Sequence, residues 1–246
     1  MKKTYDTIIW GASPAVLKKA IELKDQGRDV VLLNKFGFPG GNLTEALSCY
    51  VAPDALSSDP LMEELVRGVE KLRFGVIYNH QNVRVLHPEA VKRVAWKTIT
   101  SHDIPVIFHL TPLRIEQGRE KTEITLFGRE GTVTLNTGEL LDLSDNCFLG
   151  HFGEEDLRYQ GSIRINCFFK DMNPEMEEYF GFEKVLKTDV GAFAVFQQRE
   201  VLWDDIEKRF NESLDQLAVE GWKKFGVRML IMPVYPELIL EKREQT

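Results

Sequence analysis

Residues 4–34 decide the fold: Thr4-Tyr5-Asp6-Thr7-Ile8-Ile9-Trp10, then Gly11-Ala12-Ser13-Pro14, a polar–apolar mixed stretch to Gln26-Gly27, and Val30-Val31-Leu32-Leu33-Asn34. The first segment is short, apolar and partly β-branched, which predicts a buried strand. Ser13 suits a helix N-cap, and Pro14 suits the first helical position, where no amide proton is needed. Leu17, Ala20, Ile21 and Leu23 recur at helical spacing, while Lys18, Lys19, Glu22, Lys24 and Asp25 fall on the wet side. Gly27 supplies the left-handed residue that ends such a helix. Val30 to Leu33 is a second buried strand. Two parallel strands joined by a helix make a βαβ unit with a right-handed crossover.

In a βαβ unit the strand-to-helix turn faces the ligand crevice. The helix N-terminus there offers free amides and a partial positive charge to a phosphate. The dinucleotide fingerprint reads G-x-G-x-x-G, with an acidic residue after the second strand for a ribose hydroxyl. Here Gly11 is kept, Ser13 and Val16 replace the second and third glycines, and Asn34 stands in the acid's place. Taken by spacing alone, the stretch is equally a plain βαβ unit with a well-capped helix.

The next residues, Asn34-Lys35-Phe36-Gly37-Phe38-Pro39-Gly40-Gly41-Asn42-Leu43-Thr44, resemble a segment of FAD-dependent oxidoreductases with the glutathione-reductase-type fold. Paired glycines let main chain pass close to a ligand, and Asn42 and Thr44 add polar side chains. The resemblance implies FAD as cofactor. Gly11, Ala12, Ser13, Pro14 and Ala15 would lie at its pyrophosphate. Asn34 and Lys35 would lie at the adenosine ribose, and Gly40, Gly41, Asn42, Leu43 and Thr44 along the cofactor. Leu113 matches the position where the backbone meets adenine. Asp142-Leu143-Ser144-Asp145 matches an Asp-Ala-Thr-Gly-like motif near the flavin, with Ser144 on the opposite side of the cofactor. Asp145 replaces that motif's glycine and would bring negative charge towards a phosphate.

Further along, the spacing predicts helices over 60–74 and 88–99 and a strand over 104–110. Short alternating stretches follow at 113–115, 123–127, 132–135 and 140–143, separated by the turn residues Gly118, Gly128-Arg129-Glu130-Gly131 and Thr137-Gly138. Residues 161–169 alternate as a half-buried strand, 192–196 as its partner. Residues 202–225 form a long helix with Ile206, Phe210, Leu214, Leu217 and Trp222 as its apolar stripe. The expected fold is α/β: a Rossmann-like parallel sheet with an inserted antiparallel β-meander and a small second β region. Residues 1–157 with 200–246 would form the FAD/NAD(P)-binding-like domain, and 158–199 a remnant substrate-type region. The Gly-Asp motif that closes over the flavin in that family is absent.

Composition narrows the functions. The 246 residues include 31 basic and 38 acidic side chains, a net charge of −7. That balance argues against nucleic acid as a partner, which needs a basic face to displace counterions. Cys49, Cys147 and Cys167 are too scattered for a disulfide framework or a structural zinc site. No metal is expected. Asp142, Asp145, Cys147, His151, Glu154, Glu155 and Asp156 read first as a wet acidic loop. No stretch has the length of a membrane span, so the expectation is a soluble cytoplasmic protein. Two functions follow. One is an FAD-dependent oxidoreductase of unknown small-molecule substrate. The other is a fold relative that has lost its dinucleotide and works as a binding or interaction module, through homo-oligomerisation for instance.

Overall fold

A computed structural model of the chain describes residues 3–52, 60–80, 83–145, 148–149, 160–188 and 191–240. The chain divides into two compact units. The first comprises Met1–Gly41, Leu56–Leu72 and Glu89–Leu157; the second comprises Asn42–Ala55, Arg73–Pro88 and Arg158–Thr246.

The first unit is built on a six-stranded sheet. Strand β1 (Thr4–Trp10) lies at its centre, parallel to β2 (Val30–Leu33) on one side and to β9 (Gly131–Asp142) on the other. The short β6 (Val106–Ile107) continues the parallel set beside β2. Strands β8 (Thr122–Gly128) and β7 (Thr111–Gln117) extend the sheet antiparallel beyond β9, giving the order β6-β2-β1-β9-β8-β7. Helix α1 (Pro14–Asp25) joins β1 to β2, and the helices Pro60–Glu70 and Pro88–Ser101 belong to the same unit. All four residues of β2 and the last four of β1 are buried. Burial on both faces is what parallel strands under helices require. Ile8, Trp10, Val31 and Leu33 pack with Ile124, Leu126 and Leu135 in one apolar cluster. The parallel strands and the meander therefore share a core.

Strand β9 differs from expectation. Thr137-Gly138 was expected as a turn between two strands, yet residues 131–142 run as one strand. Its first half pairs with β8 and its second half with β1. Thr137 is fully buried, and its hydroxyl donates to the carbonyls of Glu139 and Asp6. A Cβ at Gly138 would come within 3.3 Å of the Asp6 carbonyl oxygen, so the glycine serves a close strand approach rather than a bend.

The second unit has a five-stranded antiparallel sheet. Strand β10 (Gln160–Lys170) pairs with β12 (Gly191–Leu202), and β11 (Lys184–Thr188) flanks β12. Strands β13 (Arg228–Ile231) and β14 (Glu237–Leu240) both pair with the other edge of β10. The described residues from 200 to 240, expected with residues 1–157, fall in the same compact unit as β10. Prolines 233 and 236 sit between β13 and β14, so they punctuate the chain without breaking either ladder. A three-stranded sheet, β3 (Tyr50–Val51), β5 (Val83–Leu86) and β4 (Val76–His80), completes this unit.

The long helix is compound: a 3-10 turn at Trp203–Asp205, α-helix at Ile206–Asp215, a π-helical stretch at Gln216–Glu220 and α-helix at Gly221–Phe225. Its buried residues are Ile206, Phe210, Ser213, Leu217 and Gly221. Trp222, expected in that stripe, is 57% exposed. Leu214 is half-buried.

Candidate functional site

The turn after β1 is set by its own sequence. Gly11 adopts φ +120°, which L side chains rarely reach, and a Cβ there would lie 3.0 Å from Val16 Cγ2 and 3.1 Å from Ser144 backbone atoms. Ser13 caps α1: its side chain accepts from the Val16 amide at 3.5 Å, and its carbonyl accepts from Leu17 at 3.0 Å. Pro14 has no amide to satisfy. Gly11 to Pro14 are buried, whereas Ala15 is exposed at the start of the helix.

The glycine pair docks onto this turn. The Gly40 amide donates to the Ala12 carbonyl at 2.8 Å. Gly40 and Gly41 take φ +124° and +56°. A Cβ on Gly41 would fall 2.5 Å from Ser13 Cβ and 2.3 Å from Asp145 Oδ2. Gly41 is therefore required by the molecule's own packing. The turn carrying Asp145 is pinned by Asp142, whose carboxylate accepts from the amides of Ser144 and Leu149 and from the Ser144 hydroxyl. The Ser144 hydroxyl oxygen in turn accepts from the Phe148 amide at 2.9 Å.

Asn34 follows β2 directly and is 4% exposed. Its backbone bridges Ile107 and Leu110, and its side-chain amide donates to the Phe38 carbonyl at 3.1 Å, closing the loop that leads to the glycines. The Lys35 ammonium lies 5.1 Å from the centroid of the Phe148 ring, which stacks on Trp10 at 5.8 Å. The structure thus gathers Gly11–Pro14, Gly40, Gly41 and Ser144 at the carboxyl ends of β1, β2 and β9. Asn34 and Lys35 are at the same ends. This is the switch point where α/β sheets bind ligands, because the chain leaves β1 towards β2 on one side while β9 returns on the other.

The other expected residues lie on different elements. Leu113 lies on β7, three strands from β1, and is 52% exposed. Asn42, Leu43 and Thr44 belong to the second unit, in a short helix, Asn42–Glu45. There the Asn42 carbonyl accepts from the Ala46 and Ser48 amides, and the buried Cys49 thiol donates to the Leu43 carbonyl at 2.8 Å. Cys147, His151, Glu154, Glu155 and Asp156 lie outside the described residues. Among the described residues no group of His, Cys, Asp and Glu is arranged to hold a metal ion. None of their helices is long and apolar enough to cross a membrane. Sequence reading missed the Lys35–Phe148–Trp10 stack, since nothing in spacing ties residue 148 to residue 10. It also missed Asp142 as the hub of its turn, although Asp-x-Ser is a known side-chain-to-backbone pattern.

The parallel sheet with its βαβ start and the turn at its switch point define a Rossmann-like α/β fold. The family described as FAD dependent oxidoreductase matches residues 6–217, and the chain belongs to that family. No curated protein sequence matches. Among solved structures, p-nitrophenol 4-monooxygenase PnpA from Pseudomonas putida DLL-E4 aligns with TM-score 0.56 and 13% identity, over 98% of this chain and 68% of that one. The aromatic hydroxylase CabE from angucycline biosynthesis gives TM-score 0.57 and 13% identity, over 94% and 52%. A flavoprotein/dehydrogenase from Cytophaga hutchinsonii gives 0.55 and 14%, over 96% and 66%. At such identities the likeness is one of fold. The chain spans between about half and two thirds of these proteins' length.

Toward a dinucleotide, the three glycines at positive φ put backbone rather than long side chains along the Gly11–Gly41 wall, and Ala15, the second residue of α1, is exposed beside the buried Gly11–Pro14 turn. One side chain opposes it. Asp145 is exposed, but its carboxylate reaches onto Gly41.

Proposed function

We propose that the chain binds FAD in the crevice of its first unit and serves as the cofactor-holding part of an oxidoreductase acting on a small-molecule substrate. The observation that carries this reading is the Gly40–Ala12 hydrogen bond, which joins the glycine pair to the first turn at the sheet's switch point. Gly11 to Ala15 would hold the pyrophosphate through main-chain groups and the α1 terminus. Asn34 would act at the ribose end by holding closed the loop that leads to the glycines, through its side-chain hydrogen bond to the Phe38 carbonyl. Lys35 would contribute positive charge nearby. Ser144, pinned by Asp142, would border the crevice from β9. Bound FAD supplies hydride transfer, and the protein's part is to bind, orient and exclude water.

The test is flavin binding by the Gly41→Val variant beside the unaltered protein, followed by FAD fluorescence quenching. The reading expects binding by the unaltered chain and none by Gly41→Val. Equal binding by both would place the ligand elsewhere.

A second reading has its own support: Asp145 and Ser13 both crowd Gly41, as expected for a relative that keeps the fold after losing the dinucleotide. Absence of FAD uptake by the unaltered chain favours that reading.

A further inference from the structure

We infer that the groove between α1 and the two helices Pro60–Glu70 and Pro88–Ser101 is a binding site for a small organic anion with a flat apolar body. The inference is independent of the FAD reading: of the residues gathered at the cofactor crevice, only Pro14 reaches this groove. Among the described residues, those lining the groove bound a cavity of about 930 Å³, wholly within the first unit. Sites for small molecules run to about 300–1,000 Å³. Gly68 lets the two later helices meet, since a Cβ there would lie 2.8 Å from Val94 Cγ1. The floor of the groove is apolar, with Leu17 and Leu65 buried and Leu72 and Val94 half-buried.

The rim is cationic, on a chain whose net charge is −7. Arg67, Lys71, Arg93 and Lys97 line it against two carboxylates, Glu63 and Glu64. Glu63 is already engaged by Arg67 at 2.6 Å. Among the described residues no carboxylate pairs with Lys71, Arg93 or Lys97. Cations spread over a convex surface are simply hydrated. Several lining one concavity with an apolar floor add their fields there and draw in an anion. Arg93, Trp96 and Lys97 fall at i, i+3 and i+4, which puts them on one side of their helix. Trp96 leans on Phe108 at 6.1 Å yet is 47% exposed, so its indole is held by a neighbour and still offers surface to a flat ring. Charge and ring together set the class of ligand: an aromatic carboxylate, sulfonate or phosphate ester. A bare inorganic anion would leave the floor and Trp96 unused, and a neutral ring would leave the cations unused.

The experiment titrates two dyes, 1-anilinonaphthalene-8-sulfonate and its uncharged counterpart N-phenyl-1-naphthylamine, and reads binding by their fluorescence. The proteins are the unaltered chain, Arg93→Gln combined with Lys97→Gln, Trp96→Leu, and a control, Arg119→Gln combined with Lys121→Gln, around the turn between β7 and β8. Circular dichroism and thermal melts check that each variant is folded. The expected result is a single saturable site for the sulfonate, weakened about tenfold or more by the Arg93 and Lys97 changes. Trp96→Leu should weaken it about threefold or more, and the control should leave it unchanged. The uncharged dye should bind the unaltered chain about tenfold more weakly and ignore the charge variants. Added salt should weaken only the sulfonate. Equal sulfonate affinity with and without Arg93 and Lys97 would overturn the inference, since the dye would then sit elsewhere. So would equal affinity for the two dyes, or no saturable binding of the sulfonate. Binding of hexaglutamate without binding of the sulfonate would also overturn it, and would make the groove a docking surface for an acidic chain.

Discussion

Gly41 shows how much one residue can carry. It sits at positive φ with no room for a methyl group, so Gly41→Ala combines backbone strain with collision against Ser13. The expected cost is about 2 kcal/mol, read as a lowered urea midpoint. A near-neutral result would show that the loop can leave the first turn. Cys167 makes a different point at the same scale. It is buried in β10, and desolvation pushes its thiol well above the ordinary 9.0. It should resist thiol reagents until the protein unfolds. A group whose folded pKa is raised stabilises fully below its unfolded value, and that stability falls as pH rises past 9.0 towards the folded value. Denaturant midpoints measured from pH 8 to 10.5 should therefore fall more steeply for the unaltered protein than for Cys167→Ala.

Among the elements, local chemistry was legible where one rule dominated. The Ser13 cap, Pro14 and Gly27 fixed the ends of α1 within a residue, because each has a single structural use. Strand β9 was not legible as one strand. Thr137 and Gly138 carry turn character, and the long-range contacts to Asp6 that override it are invisible in sequence. The compound helix was legible in extent but not in phase. Uniform helical spacing projected past residue 217 puts Trp222 inward, whereas the stripe goes on to Gly221. This phase has a mutational signature. Phe210→Ala should cost about 3–5 kcal/mol, and Trp222→Ser less than about 0.5 kcal/mol, by chemical denaturation. A large loss at Trp222 would contradict the observed packing. At α1, Ser13→Gly should cost only a few tenths of a kcal/mol, since glycine is itself a tolerable cap.

For the whole molecule, the βαβ start, the meander and the family were readable because they rest on contiguous stretches with strong punctuation. The division into units was not. Residues 42–55 and 73–88 pair with each other through Val51 and Arg84 and reach β10 through contacts such as the Asn166 side-chain amide to the Ala46 carbonyl, while their sequence neighbours on either side belong to the first unit. Of the residues expected at the site, Gly11, Gly40 and Gly41 come together at the end of the parallel strands, the glycine pair having been read from its resemblance to a family segment, whereas Leu113 lies on the edge strand of the sheet, a pairing order that sequence does not reveal. What the chain does thus turns on whether the crevice still admits its ligand. Thermal melting of the unaltered protein across a series of FAD concentrations tests this most directly. Binding predicts a melting temperature that climbs with FAD, by about 5–10 °C at a hundred times the dissociation constant. A melting temperature indifferent to FAD up to millimolar concentrations would contradict it.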